Sequence, residues 1–319
     1  MSAWVPVCLA RGFLDKLTPL GLPVAAGRSE ICSVRAVAKN DGKWDAMRRL
    51  LDDDSPKVRQ AVLSELVAWK EDGLRFLSES AQEKTSSGEA ALGLLRELGW
   101  DDGRDAFRQF IRAFSYELES GFLLLDKVIR PSSDLIVTRQ RLDQLAKRCE
   151  ELTVLPTTLK DRCRTISRVL FHEEGLRGVR ADFNQPASSS LSFALEEKHG
   201  LPLTLSVIYL LVARRFGLKL DPVELPGHFM VGCFLGKSTF YVDAFERGRM
   251  RNPEEVMAFL HRRNLDDSPQ WFLPSTVGDV LRRACRNLVH QHLSAGNAES
   301  ARLFSSFGNE FDEAYRRAS

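Results

Sequence analysis

His228 and Asp243 are the residues whose types and spacing in this 319-residue sequence suit proton-transfer chemistry. They border two runs rich in strand-forming residues, Phe229 to Phe234 and Thr239 to Val242. Between the runs, Gly236-Lys237 can form a two-residue II′-type turn. With that loop, Asp243 lies opposite Met230. Met230 is two residues from His228, so both point to one face of the ladder. His228 and Asp243 then become diagonal neighbours, with Cβ atoms about 7–8 Å apart. A carboxylate in that position accepts a hydrogen bond from one imidazole nitrogen, fixes the tautomer and stabilises the imidazolium. The other nitrogen is left to take a proton from a nucleophile. The same pair can serve equally as a structural hydrogen bond that closes a hairpin. The parity that joins the pair puts Cys233 on the opposite face, which makes it a poor nucleophile candidate.

Other chemistries find no support in the sequence. There is no HExxH, no GxGxxG and no P-loop, so neither a metal nor a cofactor is expected. His290 and His292 sit two apart on a helix and face away from each other, which suits no shared metal. His172-Glu173-Glu174 reads as a helix C-terminal cluster that could line a cleft, and His199 beside Gly200 reads as a helix C-cap. Six cysteines stand at 8, 32, 149, 163, 233 and 285 without a CxxC pair, a pattern that favours a reducing compartment. Hydrophobic residues make up 44% and charged residues 28%, as in ordinary globular chains. The net charge is +2, and no basic block is long enough to suggest a nucleic-acid partner. No apolar run reaches the roughly 18 residues that span a bilayer. No membrane association is expected. The first stretch lacks the basic start of a signal peptide, and a cytoplasmic location is expected.

The elements that would position the pair can be read from periodicity. Residues 1–40 show no sustained period and read as a weakly ordered extension or a start-site artefact. Met47, Leu50 and Leu51 form one helical stripe, Asp54-Ser55-Pro56 breaks and restarts the chain, and Val58, Ala61, Val62, Leu66 and Trp69 form the next. Further helical stripes run through Ala90–Leu98, Phe107–Phe114, Ile136–Leu145 and Leu159–Leu170. A long irregular segment follows Phe171. Then come a short helix over Phe193 to Lys198 and a second helix opened by Pro202 and closed by Gly217. That second helix is apolar around most of its circumference, which predicts the buried central helix of a domain. Beyond Pro253 the chain is helical again, with a helix-turn-helix around Gly296-Asn297.

Several blocks together resemble the SirB-type bacterial branch of the transglutaminase-like superfamily. They are Gly200-Leu201-Pro202-Leu203-Thr204-Leu205-Ser206, Ala213-Arg214-Arg215-Phe216-Gly217, Leu225-Pro226-Gly227-His228-Phe229 and Val242-Asp243-Ala244-Phe245. Upstream, Phe171-His172-Glu173-Glu174-Gly175 and Phe183-Asn184-Gln185-Pro186 match the approach to that core. The resemblance covers about residues 104–250. It implies a papain-like thiol site, with a Cys at the start of the central helix and a His and an Asp on the following strands. His228 and Asp243 fill the last two positions. The Cys column falls on Pro202, which offers neither a nucleophile nor an amide proton. Thr204 and Ser206 are the nearest hydroxyls and the weak alternative nucleophiles. Asn184, Pro202, Gly227, Phe229 and Phe245 would line the cleft. At the following turn the usual Asp-Pro-Phe is Asp243-Ala244-Phe245, and Glu246-Arg247-Gly248 replaces a Gly-rich stretch.

The expected architecture is α+β and predominantly helical: a papain/transglutaminase-like core with a small antiparallel sheet, flanked by helical hairpins. Its parts are an extension at 1–40, a HEAT-like helical region at 41–103, the core at 104–265 and a tetratricopeptide-like hairpin at 266–319. Two functions remain in view. One is a module that binds a protein or peptide without thiol catalysis. The other is a hydrolase or acyl-transfer enzyme using His228 and Asp243 with a hydroxyl. A hydroxyl within about 3–3.5 Å of the His228 ring would favour the enzyme.

Overall fold

The apolar run from Leu203 to Ala213 forms the middle of the molecule. In the computed structural model, which describes residues 41–318 apart from 54, 70, 99, 101, 180–183, 236–238 and 266–267, every residue of that run is buried. The fold is α+β and predominantly helical, with a small antiparallel sheet, as the sequence predicts. The N-terminal part is four helices: α1 (Asp41–Leu50), α2 (Pro56–Trp69), α3 (Glu71–Ser80) and α4 (Ser86–Glu97). They close a core of their own around Met47, Leu51, Val62, Leu66, Phe76, Leu77, Ala91, Leu94 and Trp100.

The main body follows. Its first helices are α5 (Arg104–Ala113), α6 (Leu118–Ile129), α7 (Leu135–Glu151) and α8 (Leu159–Ser167). Side-chain caps set the starts of three of them. Glu117 accepts the amides of Glu119 and Ser120, Asp134 those of Ile136 and Val137, and Thr158 that of Asp161. The helical stripe expected to run to Leu170 widens into a π-turn over Arg168–Glu173. Ile136, expected on a core stripe, is 67% exposed, because α7 begins only one residue before it. Two short strands, β1 (Arg177–Gly178) and β2 (His199–Gly200), pair in parallel around α9 (Leu191–Glu197). The helix end there is Lys198, in the left-handed conformation, and His199 already belongs to β2.

The central helix α10 (Pro202–Arg215) starts with proline at its first position, where a missing amide proton costs nothing. It leads to a four-stranded antiparallel sheet in the order β3 (Asp221–Leu225), β4 (His228–Cys233), β5 (Phe240–Asp243), β6 (Arg249–Arg251). One sheet face carries Phe229, Val231, Cys233, Phe240 and Val242 into the main core with α10. The other carries Val223, Leu225, Met230 and Tyr241 onto Val256, Phe259 and Leu260 of α11 (Pro253–His261). The last helices, α12 (Val277–Ser294) and α13 (Ala298–Ala318), form a hairpin. Its buried face, including Leu281, Leu288, Phe307 and Phe311, belongs to the same core as α10. Among the described residues no helix is long and apolar enough to cross a membrane.

Candidate active site

A two-residue turn at Pro226-Gly227 presents His228. Leu225 pairs with His228 across it, and Gly227 takes φ +66°, which an L side chain rarely adopts. The β4–β5 register pairs Val231 with Val242, Gly232 with Tyr241 and Cys233 with Phe240. This is the expected register, although the turn residues Gly236 and Lys237 themselves lie outside the described residues. The predicted diagonal contact follows. His228 Nε2 lies 2.9 Å from Asp243 Oδ1. Cys233 points to the opposite face, into the main core.

Asp243 is held from four directions and has no exposed surface. Arg251 donates to its Oδ2 from Nε at 3.2 Å and from Nη2 at 3.1 Å. The Glu246 amide donates to Oδ1 at 3.2 Å, and the Gly248 amide donates to the Asp243 carbonyl at 2.8 Å. Burial by itself raises the pKa of the carboxyl. The His228 hydrogen bond, the charges of His228 and Arg251 and the Glu246 amide together outweigh it and hold the pKa below the usual carboxylate value. An ionised carboxylate only accepts, so Nε2 of His228 carries a proton and donates it to Oδ1. His228 is 5% exposed and Arg251 7%. The imidazole packs against Phe259, 5.2 Å between ring centroids, and meets Phe245 edge-on at 6.1 Å. From the other side, Arg283 of α12 donates to the His228 carbonyl at 2.7 Å and stands 3.6 Å from Glu224.

The structure gathers the remaining candidates unequally. Phe245 lies at the dyad and also covers Gly178 of β1, where an added Cβ would sit 2.3 Å from the ring. Gly227 lies at the turn before His228. Pro202 is half-buried at the start of α10, and Asn184 is exposed on the loop before α9. Phe229 is fully buried in the main core, on the face away from His228. Thr204 donates to the Ser188 carbonyl at 3.1 Å, and among the described residues the buried Ser206 hydroxyl has no hydrogen-bond partner. Among the described residues no hydroxyl or thiol is within hydrogen-bonding distance of a His228 ring nitrogen. The four described cysteines are buried. Burial pushes the thiols of Cys149, Cys163 and Cys285 up to about 12, and raises that of Cys233. Among the described residues no group of three or more His, Cys, Asp and Glu side chains could hold a metal.

Sequence reasoning missed Arg251 and Arg283. Arg251 sits on a three-residue edge strand that has no readable period, though its pairing with Tyr241 puts it on the Asp243 face. Arg283 is one of two adjacent arginines, a pair that reads as a solvated helix face. Its side chain is instead largely covered, and its pKa is lowered by burial against the opposing pull of Glu224.

Residues 137–286 match the transglutaminase-like superfamily. A UPF0162 protein of Xylella fastidiosa (strain Temecula1) is 32% identical over 153 residues, which is 46% of this chain and 53% of that protein. A UPF0162 protein of Vibrio cholerae is 25% identical over 145 residues, 45% of this chain and 53% of that protein. F-box only protein 21 of Mus musculus is 30% identical over 98 residues, 28% of this chain and 16% of that protein. The matched segments thus span about half, or less, of the length of these relatives. No solved structure matches the chain.

Proposed function

We propose that this chain, which carries a transglutaminase-like superfamily domain over residues 137–286, binds a protein or peptide partner through that domain without thiol catalysis. One observation carries the reading. The position at the start of α10 that would hold the thiol is Pro202, and His228 and Asp243 are closed into a buried network with Arg251 instead of facing a nucleophile. Asp243 spends its oxygens on His228, Arg251 and the Glu246 amide. This supports a dyad retained as a clasp for the β3–β4 and β4–β5 hairpins. The flanking helices, HEAT-like before the core and tetratricopeptide-like after it, would add binding surface, and the SirB-type bacterial branch is the part of the superfamily we assign.

A second reading keeps the dyad chemical. It is favoured by the ionised Asp243 and by Ser206, whose hydroxyl has no partner among the described residues and could turn to a new one. A screen with hydroxyl- and thiol-reactive activity probes separates the two. Wild type and His228→Ala, both checked for folding by circular dichroism, should label equally. Labelling that requires His228 would overturn the binding-module reading.

A further inference from the structure

We propose that docking of the C-terminal hairpin controls the opening of the Pro226-Gly227 turn before His228, with Arg283 of α12 as the latch between them. This control is independent of whether the dyad serves as a clasp or as a chemical pair. The segment from Ser275 to Arg283 holds both strands of the β3–β4 hairpin. On β3, the Ser275 amide donates to the Pro222 carbonyl at 2.8 Å, and the Glu224 amide donates to Ser275 Oγ at 3.1 Å. On β4, Arg283 donates from Nη2 to the His228 carbonyl at 2.7 Å. Its Nη1 stands 3.6 Å from Glu224 Oε2, so one guanidinium bridges the two strands.

β3 needs this support. It is an edge strand, and Asp221, Pro222 and Glu224 are poor strand formers. Its outer side takes hydrogen bonds from Ser275 in place of another strand. The turn it leads into ends at His228, whose ring is held by Asp243 and whose carbonyl is held by Arg283. A side chain of α12 therefore sets the backbone from which the imidazole projects. α12 is anchored again at Gln291, about 12 Å further along the helix axis. There the Ser189 hydroxyl donates to the buried Gln291 side chain at 2.9 Å. Between the two anchors Ala284, Cys285 and Leu288 are buried in the main core. A helix held at both ends moves as a unit, so a shift of α12 at Gln291 reaches the His228 turn through Arg283. With Arg283 withdrawn, the His228 carbonyl loses its donor and Glu224 its counter-charge. The turn then opens locally while the core around α10 stays closed.

Hydrogen–deuterium exchange of the full-length protein tests this, with residues 222–230 reporting the turn and 203–213 the central helix. Arg283→Ala should speed exchange over 222–230 by about tenfold and leave 203–213 protected. Gln291→Ala, at the far anchor of α12, should speed 222–230 by about threefold. Added to Arg283→Ala it should do nothing more there, because the latch it acts through is gone. Carbethoxylation of His228 should rise in the same order, with the exposed His172 as the internal reference. Arg302→Ala, an exposed arginine on α13, should leave both readouts unchanged. Unchanged exchange over 222–230 in Arg283→Ala would overturn the proposal. So would an equal rise over 203–213, which is global loosening, or a full additional effect of Gln291→Ala in the double variant. If Arg283→Ala does not fold, Ser275→Ala, which removes only the hydroxyl that meets Glu224, decides the matter. Faster exchange over 222–230 alone upholds the control of the turn by this segment, and no change there overturns it.

Discussion

Asp243 is the residue on which the site's stability turns. It is ionised, fully buried and held by an arginine, a histidine and an amide. Removing one partner of such an arrangement leaves a buried charge uncompensated. Asp243→Asn is therefore expected to lower the urea-unfolding free energy by about 3 kcal/mol, since Arg251 stays behind. The pH dependence follows from the direction of the shift. The folded carboxyl lies below its unfolded value, so the stability it contributes is fully present above about pH 4, the unfolded pKa. It is lost as pH falls from there through the folded pKa. A series of urea midpoints between pH 7 and pH 3 should show this loss in wild type, and Asp243→Asn should remove that component. The pair itself was legible in the sequence. Strand parity places His228 and Asp243 on one face, and the observed 2.9 Å contact needs only that parity. Arg251 was not legible, because nothing local in Arg249-Met250-Arg251 announces a strand.

At the scale of elements, two glycines beside the dyad are required for different reasons. Gly178 runs under the Phe245 ring, with the nearest ring atom 2.3 Å from an ideal Cβ. Gly178→Ala is expected to cost about 1–3 kcal/mol by overpacking, measured by urea unfolding, and to displace Phe245 from the imidazole. Gly227 has open space around its Cβ position but φ +66°. Gly227→Ala should cost only about 1 kcal/mol, from the backbone alone. The bond from Arg283 to the His228 carbonyl ties α12 to β4. Arg283→Ala should cost about 2 kcal/mol at neutral pH. Burial raises the pKa of Glu224 against the pull of Arg283, so a charged Glu224 depends on that arginine. The cost should accordingly be smaller at pH 5 than at pH 8, where the stranded carboxylate is ionised. β4 and β5 were readable because they alternate and carry aromatic and branched residues. β3 was not. Asp221, Pro222 and Glu224 are poor strand formers, and they fit only because β3 lies at a sheet edge.

The whole molecule contains separate cores. Helices α1–α4 enclose one around Leu66 and Leu77, and everything from α5 onward shares others that meet at the sheet. Removing residues 1–103 should leave the unfolding free energy of the remainder within about 0.5 kcal/mol, as expected for independent parts. Removing residues 266–319 is a different operation. It takes Leu281, Cys285, Leu288, Phe304, Phe307 and Phe311 out of the core that holds α10, and cooperative unfolding by circular dichroism should be lost. Periodicity gave the helices of this region, but it could not say that the last two belong to the same core as α10. Such contacts join residues far apart in the chain and leave no local mark.

The all-round burial of α10 has a consequence for the chain during its synthesis. The helix emerges from the ribosome with apolar side chains on nearly every side, after α5–α8 but before the sheet and α12 exist to cover the rest. Until the last hairpin is made, the centre of the future protein is an open hydrophobic surface. A chain that ends between α10 and α12 therefore keeps that apolar surface open, unlike one that ends after α4, whose core is already closed.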